Sequence, residues 1–349
     1  MEGRSSDIMA GYDFEHIEFG FYLGDKSSVT TWEVPDGKTV IGTEAFKDFT
    51  NLTSITIPES VREINDNAFM NCRSLCSITL PGGLRRIWSE AFKGCENLTS
   101  VTIPKGVWEI GLGAFENCTG LTTVMIEDGV EIINGWAFRN CTGLTSVTIP
   151  DSVRMIGMEA FRGCESLKHI RIPGRVKMLE DYVFTDCRSL SSITIPENIQ
   201  SIGNGAFEGC TALTSITIPD SVTEIGYMAF KDCTLLQSVV IPDTITVLED
   251  EVFRRCKSLS TIDFPGEITQ IGDWAFAECK SFRTITIPDS VRKIGRYAFE
   301  GCSGLASVMI PDSVTEIGYS VFKECPDVTI VCREDSSEGG GGHGADSSE

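Results

Sequence analysis

A phenylalanine recurs every 23 residues through most of the chain, without an insertion. The thirteen positions are Phe46, Phe69, Phe92, Phe115, Phe138, Phe161, Phe184, Phe207, Phe230, Phe253, Phe276, Phe299 and Phe322. Twelve cysteines, from Cys72 to Cys325, each follow one of these phenylalanines by three residues. A strict period of this length indicates a stacked array of short units. The sequence of 349 residues therefore predicts one solenoid, and not the two or three globular domains that its length alone would suggest.

One unit shows the pattern that each repeat follows, and it reads LTSITIPDSVTEIGYMAFKDC from Leu213. Ile216 and Ile218 alternate with polar residues, which predicts a β-strand with one buried face. Pro219 has no amide proton and predicts the end of this strand. The next apolar pair, Val and Ile, predicts a short second strand. The segment around Phe230 predicts one helical turn with its apolar side chains facing inward.

No unit of 23 residues could bury its apolar side chains alone, because a single coil is open on both sides. Stacking solves this by placing each strand beside the next at roughly 4.8 Å, with like side chains in columns. Each buried phenylalanine or isoleucine contributes about 2 kcal/mol. Every unit runs in the same direction, so the sequence predicts a β-rich solenoid with one parallel sheet, a short second strand and one helical turn per unit.

The motif LTSITIPDSVTEIGxxAFxxC resembles the BspA-type leucine-rich repeat, which occurs in bacterial and protist surface proteins. The resemblance covers about residues 29–332. The predicted fold class is accordingly a right-handed leucine-rich-repeat stack of about 13 units. The resemblance implies a curved solenoid that binds proteins or matrix components, often in adhesion, and that is exported in most members.

Three segments are predicted along the chain: an N-terminal cap in residues 1–28, the solenoid in residues 29–332, and a disordered acidic Gly/Ser tail in residues 333–349. The sequence shows neither an apolar run long enough to cross a membrane nor a secretory signal. Absence of a signal and cysteines expected to be free favour the cytoplasm, whereas the family resemblance favours the cell surface or secretion. The location therefore stays open between the two.

A formal net charge of -21 argues against binding nucleic acid or anionic lipid through a broad surface field. We expect no cofactor, no metal site and no catalysis, because the chain has three isolated histidines and no phosphate-binding glycine loop. Single cysteines repeated in column predict a ladder of buried free thiols. Cys332, near the end of the repeats, is predicted to be the more reactive thiol.

The outward positions of the first strand are mostly serine and threonine. Such hydroxyl columns favour either an ice-binding surface or the ordinary preference of threonine for exposed strands. The unit around His169 departs most from the consensus and predicts a protein-binding site. The candidate site residues are His169, Arg171, Arg175, Lys177, Tyr182 and Arg188. Sequence drift explains the same departures, and it stays open as an alternative.

Two further groups are candidates for contact with a partner. A second basic cluster consists of Arg254, Arg255 and Lys257, and an aromatic stripe consists of Trp136, Tyr182, Met228, Trp274 and Tyr297. For the stripe, half-buried packing between coils is the favoured interpretation.

The predicted function is a non-catalytic, monomeric scaffold that binds a protein, such as a host or matrix protein, in adhesion or recognition. The alternative is a structural spacer or ice-binding rod without a specific partner.

Overall fold

The computed structural model describes residues 24–332, which form a β-solenoid of about 13 parallel coils with a 23-residue period. A coil is defined here as the 23 residues that begin at the first row-A position, such as residues 54–76 or 169–191. Most of the predicted cap and the whole predicted tail lie outside the described residues. Residues 24–332 contain no helix that could span a membrane, and their one helical segment is a 3₁₀ turn, Lys26–Ser28.

The longer strands form row A, which corresponds to the predicted sheet. They are β1 (Thr31–Glu33), β3 (Ser54–Thr56), β6 (Ser100–Ile103), β8 (Thr123–Ile126), β10 (Ser146–Thr148), β12 (His169–Arg171), β14 (Ser192–Thr194), β16 (Ser215–Thr217), β18 (Ser238–Val240), β20 (Thr261–Asp263), β22 (Thr284–Thr286), β24 (Ser307–Ile310) and β26 (Thr329–Cys332). The prolines follow these strands as expected. Val61 N, for example, donates to Pro58 O at 3.1 Å and closes a turn.

The two-residue strands form row B. Apart from the coil that begins at residue 77, which has no row-A strand, the coils contribute to two parallel rows. The row-B strands are β2 (Val40–Ile41), β4 (Glu63–Ile64), β5 (Arg86–Ile87), β7 (Glu109–Ile110), β9 (Ile132–Ile133), β11 (Met155–Ile156), β13 (Met178–Leu179), β15 (Ser201–Ile202), β17 (Glu224–Ile225), β19 (Val247–Leu248), β21 (Gln270–Ile271), β23 (Lys293–Ile294) and β25 (Glu316–Ile317). The first six row-B strands, in the order β2, β4, β5, β7, β9 and β11, form one parallel sheet. The predicted short second strand is therefore confirmed.

The core is a column of phenylalanine rings that runs through the stack. Successive rings from Phe46 to Phe276 are stacked with centroids 5.1 to 5.9 Å apart. The rings from Phe69 to Phe299 are fully buried. Offset stacking of this kind contributes about 0.5–1.5 kcal/mol per pair beyond the burial of apolar area.

The cysteine column is buried beside the phenylalanines, as predicted for free thiols. All twelve thiols from Cys72 to Cys325 are free and buried. Each donates a hydrogen bond to the carbonyl of the phenylalanine one coil earlier, as Cys118 Sγ does to Phe92 O at 3.1 Å. Burial raises the pKa of the Cys118 thiol to about 12. The column thus supplies a small apolar group and a donor at the same position.

The segment around each phenylalanine is not the predicted helical turn. Residues two before and two after the phenylalanine are left-handed, as at Trp136 (φ 60°) and Asn140 (φ 57°). Two such residues per coil interrupt a right-handed helix. The amides instead alternate between short turns and the next coil: Phe138 N donates to Ala160 O at 2.8 Å, whereas Cys141 N donates to Phe138 O at 3.1 Å. Backbone hydrogen bonds between coils therefore replace the hydrogen bonds that a local helix would make.

Row B is interrupted immediately before β13 and before β19. In other coils the residue after the row-B strand donates to the coil before it, as Gly157 N does to Ile133 O at 2.8 Å. Within the described residues, Glu180 N makes no such bond to Ile156 O. Glycine is common here because the coils approach closely: a Cβ at Gly157 would lie 2.4 Å from Gly135 N.

The absence of glycine does not by itself cause this interruption. Asn65, Trp88 and Asn134 occupy the same position and keep the bond. The two interrupted coils combine glutamate with valine, in place of alanine, before the phenylalanine, in the sequences Leu179–Phe184 and Leu248–Phe253. The ring spacing is wide at the first interruption, 5.9 Å between Phe161 and Phe184, and ordinary at the second, 5.4 Å between Phe230 and Phe253.

Candidate functional site

All six predicted site residues lie in one coil, residues 169–191, which we call the basic coil. Its row-A strand is β12, in register with β14, so that His169 pairs with Ser192 and Arg171 pairs with Thr194. Both His169 and Arg171 point outward and are exposed. They replace the serine and threonine that most row-A strands present at these positions. The predicted placement of both side chains on one strand face is confirmed.

The two outward side chains of β12 make few and weak contacts. His169 Nδ1 lies 2.9 Å from Ser192 Oγ. Arg171 Nη1 donates to Asp151 Oδ1 at 2.8 Å, and the two side chains are 67% and 74% exposed. An ion pair this exposed contributes about 0–1 kcal/mol. Arg171 is therefore available to exchange its carboxylate partner for one on another molecule at low cost.

Arg175 and Lys177 lie in the connection between β12 and β13, at the edge between the two rows. Both side chains are exposed. Neither forms an ion pair with any residue in the range 24–332, and the same holds for Lys168 just before β12. Three uncompensated cations in sequence proximity contrast with the formal charge of -21 for the whole chain.

Tyr182 and Arg188 lie in the turn segment of the basic coil and do not share the face of β12. Tyr182 is half-buried, and its hydroxyl is 2.7 Å from that of Tyr227, two coils further on. Burial and this hydrogen bond raise the pKa of Tyr182. Arg188 lies 3.4 Å from Asp186 and 3.7 Å from Glu165. It borders a shallow polar pocket of about 420 Å³.

The second basic cluster differs from the basic coil in its ion pairing. Arg254 pairs with Glu251 at 3.0 Å, and Arg255 pairs with Glu278 at 2.9 Å. Both arginines are half-buried in the turn segment. The charges of these two arginines are compensated within the solenoid, and Lys257 alone of the three is exposed without an ion pair to residues 24–332, so this cluster offers less to a partner than the basic coil does.

The predicted aromatic stripe is half-buried at every position, which confirms the packing interpretation. Trp274 and Tyr297, for instance, stack with centroids 5.2 Å apart.

Cys332 cannot be compared with its prediction, because its side chain lies outside the described part of the chain. The exposed thiol within the described part is Cys76. Among residues 24–332, no three His, Cys, Asp or Glu side chains group closely enough to hold a metal ion.

An apolar surface on row B was not predicted from the sequence. Large apolar side chains are exposed in three of four successive coils, namely Trp108, Leu112, Met155, Met158 and Met178, and the remaining coil contributes the half-buried Ile132. The signal was available, because the outward row-B position is usually polar and becomes Ile, Met and Met at Ile132, Met155 and Met178. It was overlooked because the second strand is only two residues long and shows no alternation.

A family profile described as "BspA type Leucine rich repeat region (6 copies)" matches this chain over residues 17–144, 108–237 and 223–337. Comparison with curated protein sequences gave no match.

Several solved structures are similar along most of their length. A leucine-rich repeat protein from Bacteroides ovatus is 27% identical, with 90% of this chain and 94% of that chain covered and a TM-score of 0.76. A leucine rich cell surface protein from Faecalibacterium prausnitzii is 30% identical, with 92% and 82% covered and a TM-score of 0.53. A leucine-rich repeat protein from Eubacterium ventriosum, 24% identical over 90% and 87% of the two chains with a TM-score of 0.61, supports the fold alone.

Proposed function

Because the chain belongs to the BspA-type leucine-rich repeat family, we propose that it is a non-catalytic scaffold that binds a partner protein through the exposed basic side chains of the basic coil, centred on the row-A strand β12. Leucine-rich repeat domains generally bind proteins. The observation that carries the proposal is the pair His169 and Arg171, which interrupts two exposed columns of small hydroxyl side chains.

Charge supports this surface as a point of recognition. On a chain with a net charge of -21, most of the surface repels an acidic protein, so the basic coil attracts it selectively. Arg171 already binds a carboxylate, that of Asp151, and a partner carboxylate could take its place. The similarity to a cell surface protein supports a role in adhesion or recognition at a cell surface.

A binding array tests the proposal. The full-length chain is applied to purified cell-surface and extracellular-matrix proteins, and its variant Arg171→Ala/Arg188→Ala is applied in parallel. We expect the variant to bind its partner about tenfold more weakly, as for loss of two charged interface contacts. Circular dichroism should stay unchanged, because both side chains are exposed.

The matched control is Lys257→Ala/Lys280→Ala. These two exposed lysines occupy the same repeat position as Arg188, and the control changes the net charge by the same amount. Equal weakening by both double variants would show nonspecific electrostatics and contradict the proposed site. An absence of any protein partner, together with thermal hysteresis in a freezing assay, would favour the ice-binding rod instead.

A further inference from the structure

An exposed apolar surface lies on row B, on a different strand row from His169 and Arg171. We call it the methionine patch, and it consists of Trp108, Leu112, Ile132, Met155, Met158 and Met178. Met155, Met158 and Met178 are 37%, 44% and 47% exposed. Elsewhere the outward row-B residue is mostly polar, as at Glu63, Arg86, Glu109, Ser201, Glu224, Gln270, Lys293 and Glu316.

The patch extends over four coils. Ile132 and Met155 are strand partners in row B, and Met178 occupies the same position in the next coil, across the interruption between β11 and β13. Beside this column, Gly135 lies closely packed between Leu112 and Met158: a Cβ there would lie 3.4 Å from Leu112 Cδ1 and 3.1 Å from Met158 O. Contiguous apolar surface of this kind marks interaction sites, and methionine adapts its shape to a partner.

The charges around the patch favour an acidic partner. Glu131 pairs with Arg154 at 3.1 Å, and Glu109 accepts a hydrogen bond from Asn134. Glu180 and Asp181, which follow Met178, are half-buried, and Asp181 accepts hydrogen bonds from Asn204. Arg175 and Lys177, which precede Met178, are exposed and form no ion pair with the described residues. The exposed charge at this edge of the patch is therefore positive.

The spacing of the patch suits a helix that lies along the solenoid. The coils that carry Ile132, Met155 and Met178 contain the rings of Phe138, Phe161 and Phe184, whose centroids are 5.4 and 5.9 Å apart. An α-helix advances about 5.4 Å per turn, so residues at i, i+4 and i+7 meet successive coils.

We infer that the methionine patch binds an acidic amphipathic helix of a partner protein, with its apolar stripe on the column of Ile132, Met155 and Met178 and its carboxylates beside Arg175 and Lys177. This site is independent of the proposed binding through row A, because its central residues lie on row B. A partner that spans both would gain avidity, but neither site requires the other.

A designed peptide tests the site. The probe is a labelled helix of about 18 residues, long enough to be helical, with leucines at i, i+4 and i+7 and glutamates on both flanks. We expect fluorescence anisotropy to show binding to the full-length chain, with Met155→Glu/Met178→Glu weakening it by about tenfold or more. Arg175→Glu/Lys177→Glu should weaken this peptide and strengthen the same peptide with lysine flanks.

Two controls distinguish binding at the methionine patch from general apolar adhesion and from binding through row A. Met125→Glu changes a methionine that is 55% exposed on row A and should leave the affinity unchanged, as should Arg171→Ala/Arg188→Ala. Met158→Glu provides a second patch variant, and circular dichroism checks that each variant is folded. The inference would be overturned if the peptide failed to bind, or if Met125→Glu weakened its binding as much as the patch variants do. Neither result would contradict the proposed binding through row A.

Discussion

The coils of Phe69, Phe92 and Phe115 stack more closely than the basic coil does. In the first region the ring centroids are 5.1 Å apart with interplanar angles of 4° and 6°. Around Phe184 the separations are 5.9 and 5.7 Å and the angles are 15° and 19°. Row B is continuous through the first region and interrupted before β13. The same architecture is therefore regular in one place and loosened in another.

This difference shows that departures from the repeat act locally. In a solenoid each coil contacts only its two neighbours, so a larger side chain changes one junction and leaves distant ones intact. The coil of Phe184, whose ring junctions are wide, also carries the unpaired cations and the end of the methionine patch. The loosest stacking and the surfaces proposed for binding thus coincide.

Removing a phenylalanine ring should give the largest difference in stability between the two regions. Phe115→Ala should lower the free energy of unfolding by about 4–5 kcal/mol, and Phe184→Ala by about 3 kcal/mol, because a looser junction loses fewer contacts and collapses more readily into the cavity. Equilibrium urea unfolding followed by circular dichroism measures both. An equal or larger loss for Phe184→Ala would show that the wider ring spacing does not weaken packing.

Thiol labelling should reveal the looser junction in the native protein. Burial raises the pKa of Cys118 to about 12, so its reactive thiolate is scarce at pH 8, and labelling requires local opening. We expect Cys187, in the basic coil, to be labelled about tenfold faster than Cys118, and the exposed Cys76 faster than either. Peptide mass analysis over time distinguishes the sites. Equal rates at Cys118 and Cys187 would contradict the local difference.

The smallest expected effect concerns the carboxyl group of Glu180. Burial, with a lesser contribution from Asp181, raises its pKa above the ordinary 4.5. Protonation therefore favours the folded state, and this contribution is complete below pH 4.5 and is lost as the pH rises through the raised value. Glu180→Gln mimics the neutral group, so its denaturation midpoint should exceed that of the parent chain slightly at pH 7 and match it near pH 4.

The exposed Glu197 provides the control for this titration. Glu197→Gln removes the same charge from a connection between the rows and should shift the midpoint much less at pH 7. A gain for Glu180→Gln that persists unchanged at pH 4 would point to a cause other than the carboxyl charge.

Much of the fold could be predicted because the repeat gives the same information thirteen times. Alternation at Ile216 and Ile218 predicted row A, and the proline after them predicted where it ends. The prediction of a helical turn was wrong. The position of Asn140 is Asn, Asp or Gly in most repeats, and these residues tolerate a left-handed backbone, whereas the position of Trp136 shows no such preference. That conformation results from hydrogen bonds to the next coil, which local propensity does not contain.

The candidate site could be predicted from the sequence only in part. His169 and Arg171 stand out from a serine and threonine column, and their outward placement follows from strand alternation. Which cations are compensated does not follow: Arg254 and Arg175 look alike in sequence, yet only Arg254 has an ion pair among the described residues. The methionine patch was missed for a similar reason, because Leu112 and Met158 become neighbours of Gly135 only after the coils stack.

The 23-residue repeat is sufficient to establish a single stack of parallel coils, because no unit can remove its phenylalanine from water without a similar neighbour. Only the folded structure shows where the stacking is looser and which side chains face solvent together. Those properties depend on distances between residues 23 apart, and such distances depend on how the side chains of adjacent coils pack together, as around Phe184.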